Sequence, residues 1–252
     1  MSRTAVVTGG ASGIGAATVR ALASEGYRVV VADLNADAAR ALADELGGEV
    51  RSVGMDVTDE ASVATVFESV TADVVVHCAG VSVPGAITEL ELSGWRTTVD
   101  VCLTGTFLVL KHAGRHLSDG GGIVCIASLN GRQPGTGMAA YCAAKAGVLM
   151  LVEVAAMELA ERGIRVNAIS PGLVDTPLVA GVAFVPGLRE EYLENTPLGR
   201  SGRAEEIADL AVFLASDKAT WMTGAAIDLN GGAHLRRYPD VLGKVRALAQ
   251  GG

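Results

Sequence analysis

Thr8-Gly9-Gly10-Ala11-Ser12-Gly13-Ile14-Gly15 is the stretch that decides the fold of this 252-residue chain. It follows a short β run, Thr4–Thr8, and leads into an Ala-rich helical pattern that reaches about Glu25. Glycines open backbone angles closed to other residues and let the main chain come close to a pyrophosphate. The helix behind them presents free N–H groups and the positive end of its dipole to such an anion. A plain strand-to-helix turn is the blander reading of the same residues. Their place directly after the first strand favours the phosphate-binding one.

Working outward, β-like and helical runs alternate along the chain. Arg28–Asp33 is a second β run, followed by a helix from about Ala36 to Leu46. Val50–Met55 and Val74–His77 are further strands, with a helix beginning near Asp59 between them. Trp95–Leu117 reads as one long helix, Gly122–Ala127 as a buried strand, and Met138–Arg162 as the next long helix. Ile164–Ile169, a helix at about Ala204–Ala215 and a short strand at Ala226–Leu229 complete the pattern. Such alternation implies right-handed βαβ crossovers and a mostly parallel sheet. With no repeat, no linker and no shift in composition, the reading is α/β: a single-domain Rossmann-type doubly wound parallel sheet of about seven strands over residues 1–252. Ligands of such sheets lie beyond the carboxyl ends of the strands.

Composition narrows the function. Half the residues are hydrophobic and few are aromatic, so the core is built from Val, Leu, Ile and Ala. A formal charge of −8 argues against nucleic acid or an anionic membrane as partner. Cys78, Cys102, Cys125 and Cys142 lack CxxC spacing and read as small buried residues of a reducing compartment, with no metal site. No signal-peptide pattern opens the chain, so the expected location is the cytoplasm. Met138–Ala160 is apolar almost all round, but Lys145, Glu153 and Glu158 would be expensive in hydrocarbon. Burial between the sheet and a partner subunit is the preferred reading. His112 and His116 have a metal-capable i, i+4 spacing but no evident third ligand, and read as solvated helix residues.

Two further positions carry chemistry. Asp33 closes the second strand, 18 residues beyond Gly15. A carboxylate there accepts the ribose hydroxyls of NAD and repels the 2′-phosphate of NADP. Its blander role is capping the helix that follows. The glycine loop contains no basic residue, which favours NAD. Tyr141 and Lys145, at i and i+4, share a helix face, so a phenol and an ammonium meet. A neighbouring cation favours a phenolate and fits a tyrosine for general acid/base work. Ser128 ends the preceding strand, placed to hydrogen-bond a reacting oxygen.

With these residues in view, the chain resembles the short-chain dehydrogenase/reductase family over nearly its whole length. The resemblance rests on TGGASGIG at 8–15, Ser128 with Tyr141-Cys142-Ala143-Ala144-Lys145, Asn167 to Gly172, Gly199 to Glu206, and Thr223-Gly224 through Gly231-Gly232. It implies a nicotinamide cofactor, hydride transfer, and a homotetramer in which the long helices pair across one interface and the last strand across another. It also implies catalytic Ser128, Tyr141 and Lys145, and cofactor contacts at Gly9, Ser12, Gly13, Ile14, Gly15, Asp33, Leu34, Asp56 and Val57. Ala79, Gly80, Tyr141, Lys145, Pro171, Gly172, Val174 and Thr176 extend that contact set. A substrate lid is expected at about 173–198, hinged on Gly181 and Gly187.

The chain departs from the family pattern in two places. His77-Cys78-Ala79-Gly80 stands where relatives read Asn-Ala-Gly, and Cys102 stands where they place a catalytic asparagine. A thiol does not replace an amide as donor and acceptor. Either a water or a neighbouring group fills that role, which the retained Ser128, Tyr141 and Lys145 favour, or fast catalysis is lost. The expected activity is NAD(H)-dependent interconversion of a secondary alcohol, apolar or cyclic given the Val-, Leu- and Phe-containing lid, and its ketone. The alternatives are an NADPH-dependent carbonyl or 3-oxoacyl reductase, and a non-catalytic dinucleotide-binding sensor.

Overall fold

Runs of Val, Ile and Ala with both faces buried are what parallel central strands require, and they form the sheet here. The computed structural model describes residues 2–250. In chain order it contains β1 (Thr4–Thr8), α1 (Gly13–Ser24), β2 (Arg28–Asp33), α2 (Ala36–Leu46), β3 (Val50–Gly54), α3 (Glu60–Ser69) and β4 (Val74–His77). Then come α4 (Leu92–Val99), α5 (Gly105–His116), β5 (Gly122–Ile126), α6 (Ala139–Leu159) and β6 (Arg165–Pro171). The chain continues through α7 (Leu188–Glu194), α8 (Ala204–Ala215), β7 (Ala226–Leu229) and α9 (Val241–Gln250). The strands run parallel in the order β3-β2-β1-β4-β5-β6-β7, the doubly wound arrangement the alternation implied.

Successive strand residues point to opposite faces, so the sheet feeds two cores. On one side Val6, Val75, Ile123 and Val166 pack with Phe67 of α3, Val109 of α5 and Val152 of α6. On the other Val7, Val76, Val124 and Ile169 pack with Leu22 of α1, Leu42 of α2 and Leu214 of α8. Helix α6 and the turn after it are long and apolar enough to cross a membrane by length and composition alone. Ala144, Val148, Val152 and Ala156 instead bury its inner face against the sheet, while Met150 and Met157 lie exposed on the outside.

Two sequence expectations need correction. The helix expected over Trp95–Leu117 starts earlier, at Leu92, and is divided by a π-helical turn at Asp100–Thr104. Within it the Thr106 hydroxyl captures the Cys102 carbonyl at 2.7 Å, a back-bond that competes with the i to i−4 ladder. His112 is not solvated: it is buried, with Nε2 3.2 Å from Glu60 Oε1. The amphipathic face it occupies turns inward toward α3, a pairing that only the packed structure reveals.

The fold places β1 and β4 side by side, where the chain's strand order reverses. The crevice beyond their carboxyl ends is where ligands of this architecture lie.

Candidate active site

The glycine turn wraps the carboxyl end of β1. Gly9 and Gly13 have φ of +63° and +50°, the left-handed region that side chains disfavour. A Cβ on Gly9 would lie 2.6 Å from the Ala79 nitrogen, and one on Gly15 would lie 2.0 Å from the Gly9 oxygen. The bare backbone therefore forms a cradle, with the start of α1 behind it, suited to a pyrophosphate. This cradle opens into a groove of about 450 Å³. Gly9, Ser12, Gly13, Ile14, Gly15, Asp33, Leu34, Asp56, Val57, Ala79, Gly80 and Thr176 all line it. The donors and shape fit a nicotinamide dinucleotide.

Asp33 sits half-buried at the end of β2, its two oxygens accepting Ala11 N and Asn35 N, each at 2.9 Å. The cap of α2 is Asn35, which accepts Ala38 N at 3.0 Å, so Asp33 is not needed for capping. Each carboxylate oxygen keeps further lone pairs for ribose hydroxyls. Asp56 holds the turn after β3 by accepting both the amide and the hydroxyl of Thr58. Among the described residues lining the groove there is no Lys, Arg or His.

Next to the groove lies a second cavity, of about 380 Å³, lined by Ser128, Tyr141, Pro171, Gly172 and apolar residues of the 173–188 segment. Leu178 borders both spaces. Ser128 is buried at the end of β5, where its Oγ accepts Asn130 N at 3.1 Å and keeps its own proton for a ligand. Tyr141 stands in the first turn of α6, and Lys145 one turn further on. Lys145 is 4 % exposed; its ammonium lies 5.7 Å from the Tyr141 ring centre and donates to the Ile126 carbonyl at 2.7 Å. That carbonyl supplies the partner a buried cation requires. Of the expected contact residues, Val174 and Lys145 line neither space; the Val174 side chain is 4 % exposed and packs into the core.

Cys102 lies in the π-helical turn, fully buried. Its Sγ donates to Val81 O at 3.2 Å and accepts Val81 N at 3.4 Å, so both functions of the thiol are engaged. A methyl on Gly80 would lie 3.8 Å from Lys145 Nζ and 3.9 Å from Cys102 Sγ. The thiol thus stands on the lysine's side of the groove without joining it.

A buried polar chain runs beside these groups. Thr106 gives its proton to Cys102 O, so its oxygen accepts from His77 Nε2 at 3.0 Å. His77 Nδ1 then accepts the Thr8 hydroxyl at 2.6 Å. Burial, with the Lys145 charge second, pushes the His77 pKa down to about 3, so the ring is neutral. This chain ties β1, β4 and the π-helical turn together, and nothing in the residue pattern announced it.

Sequence reasoning also missed the C-terminal segment. Arg237, Tyr238, Pro239, Val241 and Val245 form a wall of the apolar cavity. The end of the chain is folded back over the site. The Tyr238 ring fills the space left by Gly135, whose Cβ would come 2.6 Å from it. An unpaired glycine in a loop gave no cue to its distant partner.

Comparison with known proteins agrees with the fold. A family model described as enoyl-(acyl carrier protein) reductase matches residues 9–234. The chain is 45 % identical to a cis-4-hydroxycyclohexanecarboxylate dehydrogenase of Sinomonas cyclohexanicum, over 91 % of this chain and 96 % of the relative. It is 42 % identical to a D-threitol dehydrogenase of Mycolicibacterium smegmatis, over 91 % and 92 %. A solved short-chain type dehydrogenase/reductase from Mycobacterium ulcerans superposes with a TM-score of 0.94 at 37 % identity, covering 98 % of this chain and 96 % of that one.

The His77 chain makes a pH prediction. The native state excludes a proton that the unfolded chain binds below about 6.5. Stability from this group is complete above that pH and declines as pH falls toward about 3, by up to about 1.4 kcal/mol per unit. Urea unfolding of the wild type and His77→Gln at pH 7, 6, 5 and 4 should give a shallower acid decline in the variant; parallel declines would show His77 to be charged in the fold.

Proposed function

The chain belongs to the short-chain dehydrogenase/reductase family, and on that premise we propose that it is an NAD(H)-dependent dehydrogenase of ring-borne secondary alcohols. Its membership and its relatives make it an alcohol/ketone oxidoreductase that uses a nicotinamide dinucleotide. One observation supports the finer reading: Ser128 and Tyr141 line an apolar cavity that shares Leu178 with the dinucleotide groove, and Lys145 lies close to the Tyr141 ring.

The proposed roles follow from the contacts. Gly9–Gly15 hold the pyrophosphate by backbone N–H groups and the α1 dipole. Asp33 accepts the adenosine ribose hydroxyls, and the absence of a described cation in the groove leaves an added 2′-phosphate facing two carboxylates, Asp33 and Asp56. When bound, the nicotinamide supplies the acceptor or donor of hydride. Ser128 donates its free proton to the substrate oxygen. Tyr141 removes the hydroxyl proton during oxidation and returns it during reduction. Lys145 stabilises the phenolate electrostatically, its ammonium fixed by Ile126 O.

The apolar walls, with Leu173, Leu178, Val179, Val182 and Val185, favour a carbocyclic alcohol, in keeping with the ring substrate in the name of the Sinomonas relative. The segment 173–198 is proposed as the lid, with Gly187 in a left-handed conformation at the start of α7. The exposed Phe107, Met150, Val154 and Met157 on α5 and α6, and Trp221 before β7, support burial in a homotetramer. Four free cysteines accord with a cytoplasmic location.

Three measurements test this reading. Tyr141→Phe should lower cyclohexanol-dependent NAD reduction by about 10²–10⁴-fold while NADH affinity is kept; an active variant removes Tyr141 from the chemistry. Titration should show NADH bound about tenfold or more tighter than NADPH, and the reverse order would overturn the NAD assignment. Cys102→Asn should keep or raise kcat; a large loss would give the thiol an adapted role.

A further inference from the structure

Among the polar side chains that line the apolar cavity, one pair stands apart from Ser128 and Tyr141. Tyr192 of α7 and Tyr238 of the C-terminal segment both line it, their hydroxyls 2.8 Å apart and their rings edge to face with centres 5.6 Å apart. Two phenols carry two protons. One proton fills the space between the oxygens. Among the described residues, the other has no acceptor within hydrogen-bonding distance. Asn130, beside Tyr238, gives its amide hydrogen to Gln133 O and acts toward the phenol as a donor, which adds no acceptor. Burial foremost raises the pKa of both phenols, so the pair stays neutral and retains both protons.

The pair is also rigidly held. Glu191 of α7 is buried and accepts Arg237 Nη1 at 2.7 Å and Asp240 N at 3.2 Å. Thr136 donates to Asp240 at 2.9 Å, and Gln133 donates to the Arg236 carbonyl. The lid helix, the loop before Tyr141 and the chain's end are thereby locked around a single surplus O–H. In the free protein water can satisfy it. A purely hydrocarbon ligand would strip that water and leave the donor unpaired.

We infer that the surplus hydroxyl of the Tyr192–Tyr238 pair binds a hydrogen-bond-accepting oxygen on the substrate, separate from the carbinol that reacts, so the substrate is a ring alcohol bearing a second oxygen function. This rests on the ring-alcohol reading above and names its second recognition point. Sites built to hydrogen-bond a substrate group discriminate strongly against analogues lacking it. Arg237, which also lines the cavity, gives one arm to Glu191.

The test separates binding from turnover. Cyclohexane-1,4-dione and 4-methylcyclohexanone each carry one ketone for the Ser128–Tyr141 end, but only the dione has a second acceptor. With saturating oxidised cofactor neither ketone can react, so calorimetry reads affinity alone. The wild type should bind the dione about tenfold more tightly than the methyl ketone. Tyr192→Phe and Tyr238→Phe each retain one free O–H and should keep most of that preference. The double variant should bring the two affinities close to equality. A merely structural role would weaken both ligands together and leave their ratio intact. Equal affinities in the wild type, or a wild-type ratio surviving in a double variant that still binds NADH, overturns the inference. Failure of the wild type to oxidise any ring alcohol would instead sink the dehydrogenase reading and leave the dione result standing.

Discussion

The site depends on the close approach of two main chains at the centre of the sheet. Gly9, leaving β1, lies against Ala79, leaving β4, so tightly that a single Cβ would collide with backbone nitrogen. Only there, where the strand order reverses, do two crossovers diverge and leave a crevice between them. The dinucleotide groove, the position of Ser128 at the end of β5 and the direction of α6 all follow from that contact. The buried Thr8–His77–Thr106–Cys102 chain reinforces it from beneath, giving every polar atom it uses a partner. A neutral imidazole is well suited to that duty, because a charged one beside the Lys145 ammonium would add like-charge repulsion to desolvation.

A polar seam runs through the apolar interior beside the groove. Lys145 is tolerated in a helix whose inner face is otherwise Ala, Val and Leu because the end of β5 offers it a carbonyl. The same strand end positions Ser128, so the cation and the hydroxyl share one structural origin. Cys102 shows the reverse case. Its weak donor and acceptor are both spent on Val81, and the π-helical turn that carries it is stabilised by the Thr106 back-bond.

The second cavity is assembled differently. Its walls come from segments far apart in sequence: the loop before α6, the 173–196 stretch and the C-terminal residues beyond 236. Buried Glu191 draws the last two together, and the Gly135–Tyr238 contact draws in the first. The apolar cavity is thus built by peripheral elements, whereas the groove is built at the carboxyl edge of the sheet.

Local patterns in the chain determined the order of the strands and of the crossover helices between them, though not α7 or α9, together with the glycine cradle, Asp33 at the end of β2, and the pairing of Tyr141 with Lys145. Each is written in short-range terms, as alternation of period, glycine placement or i, i+4 spacing, and survives any detail of packing. Tertiary structure alone decided that the helix through Cys102 contains a π-helical turn, that His112 faces inward, that Val174 turns its side chain into the core, and that the basic tail closes the cavity. Those outcomes depend on contacts between residues separated by tens to a hundred positions, such as Thr106 with His77 or Tyr238 with Gly135. A sequence records which groups are available to meet; the free energy of burying them together selects which of them do.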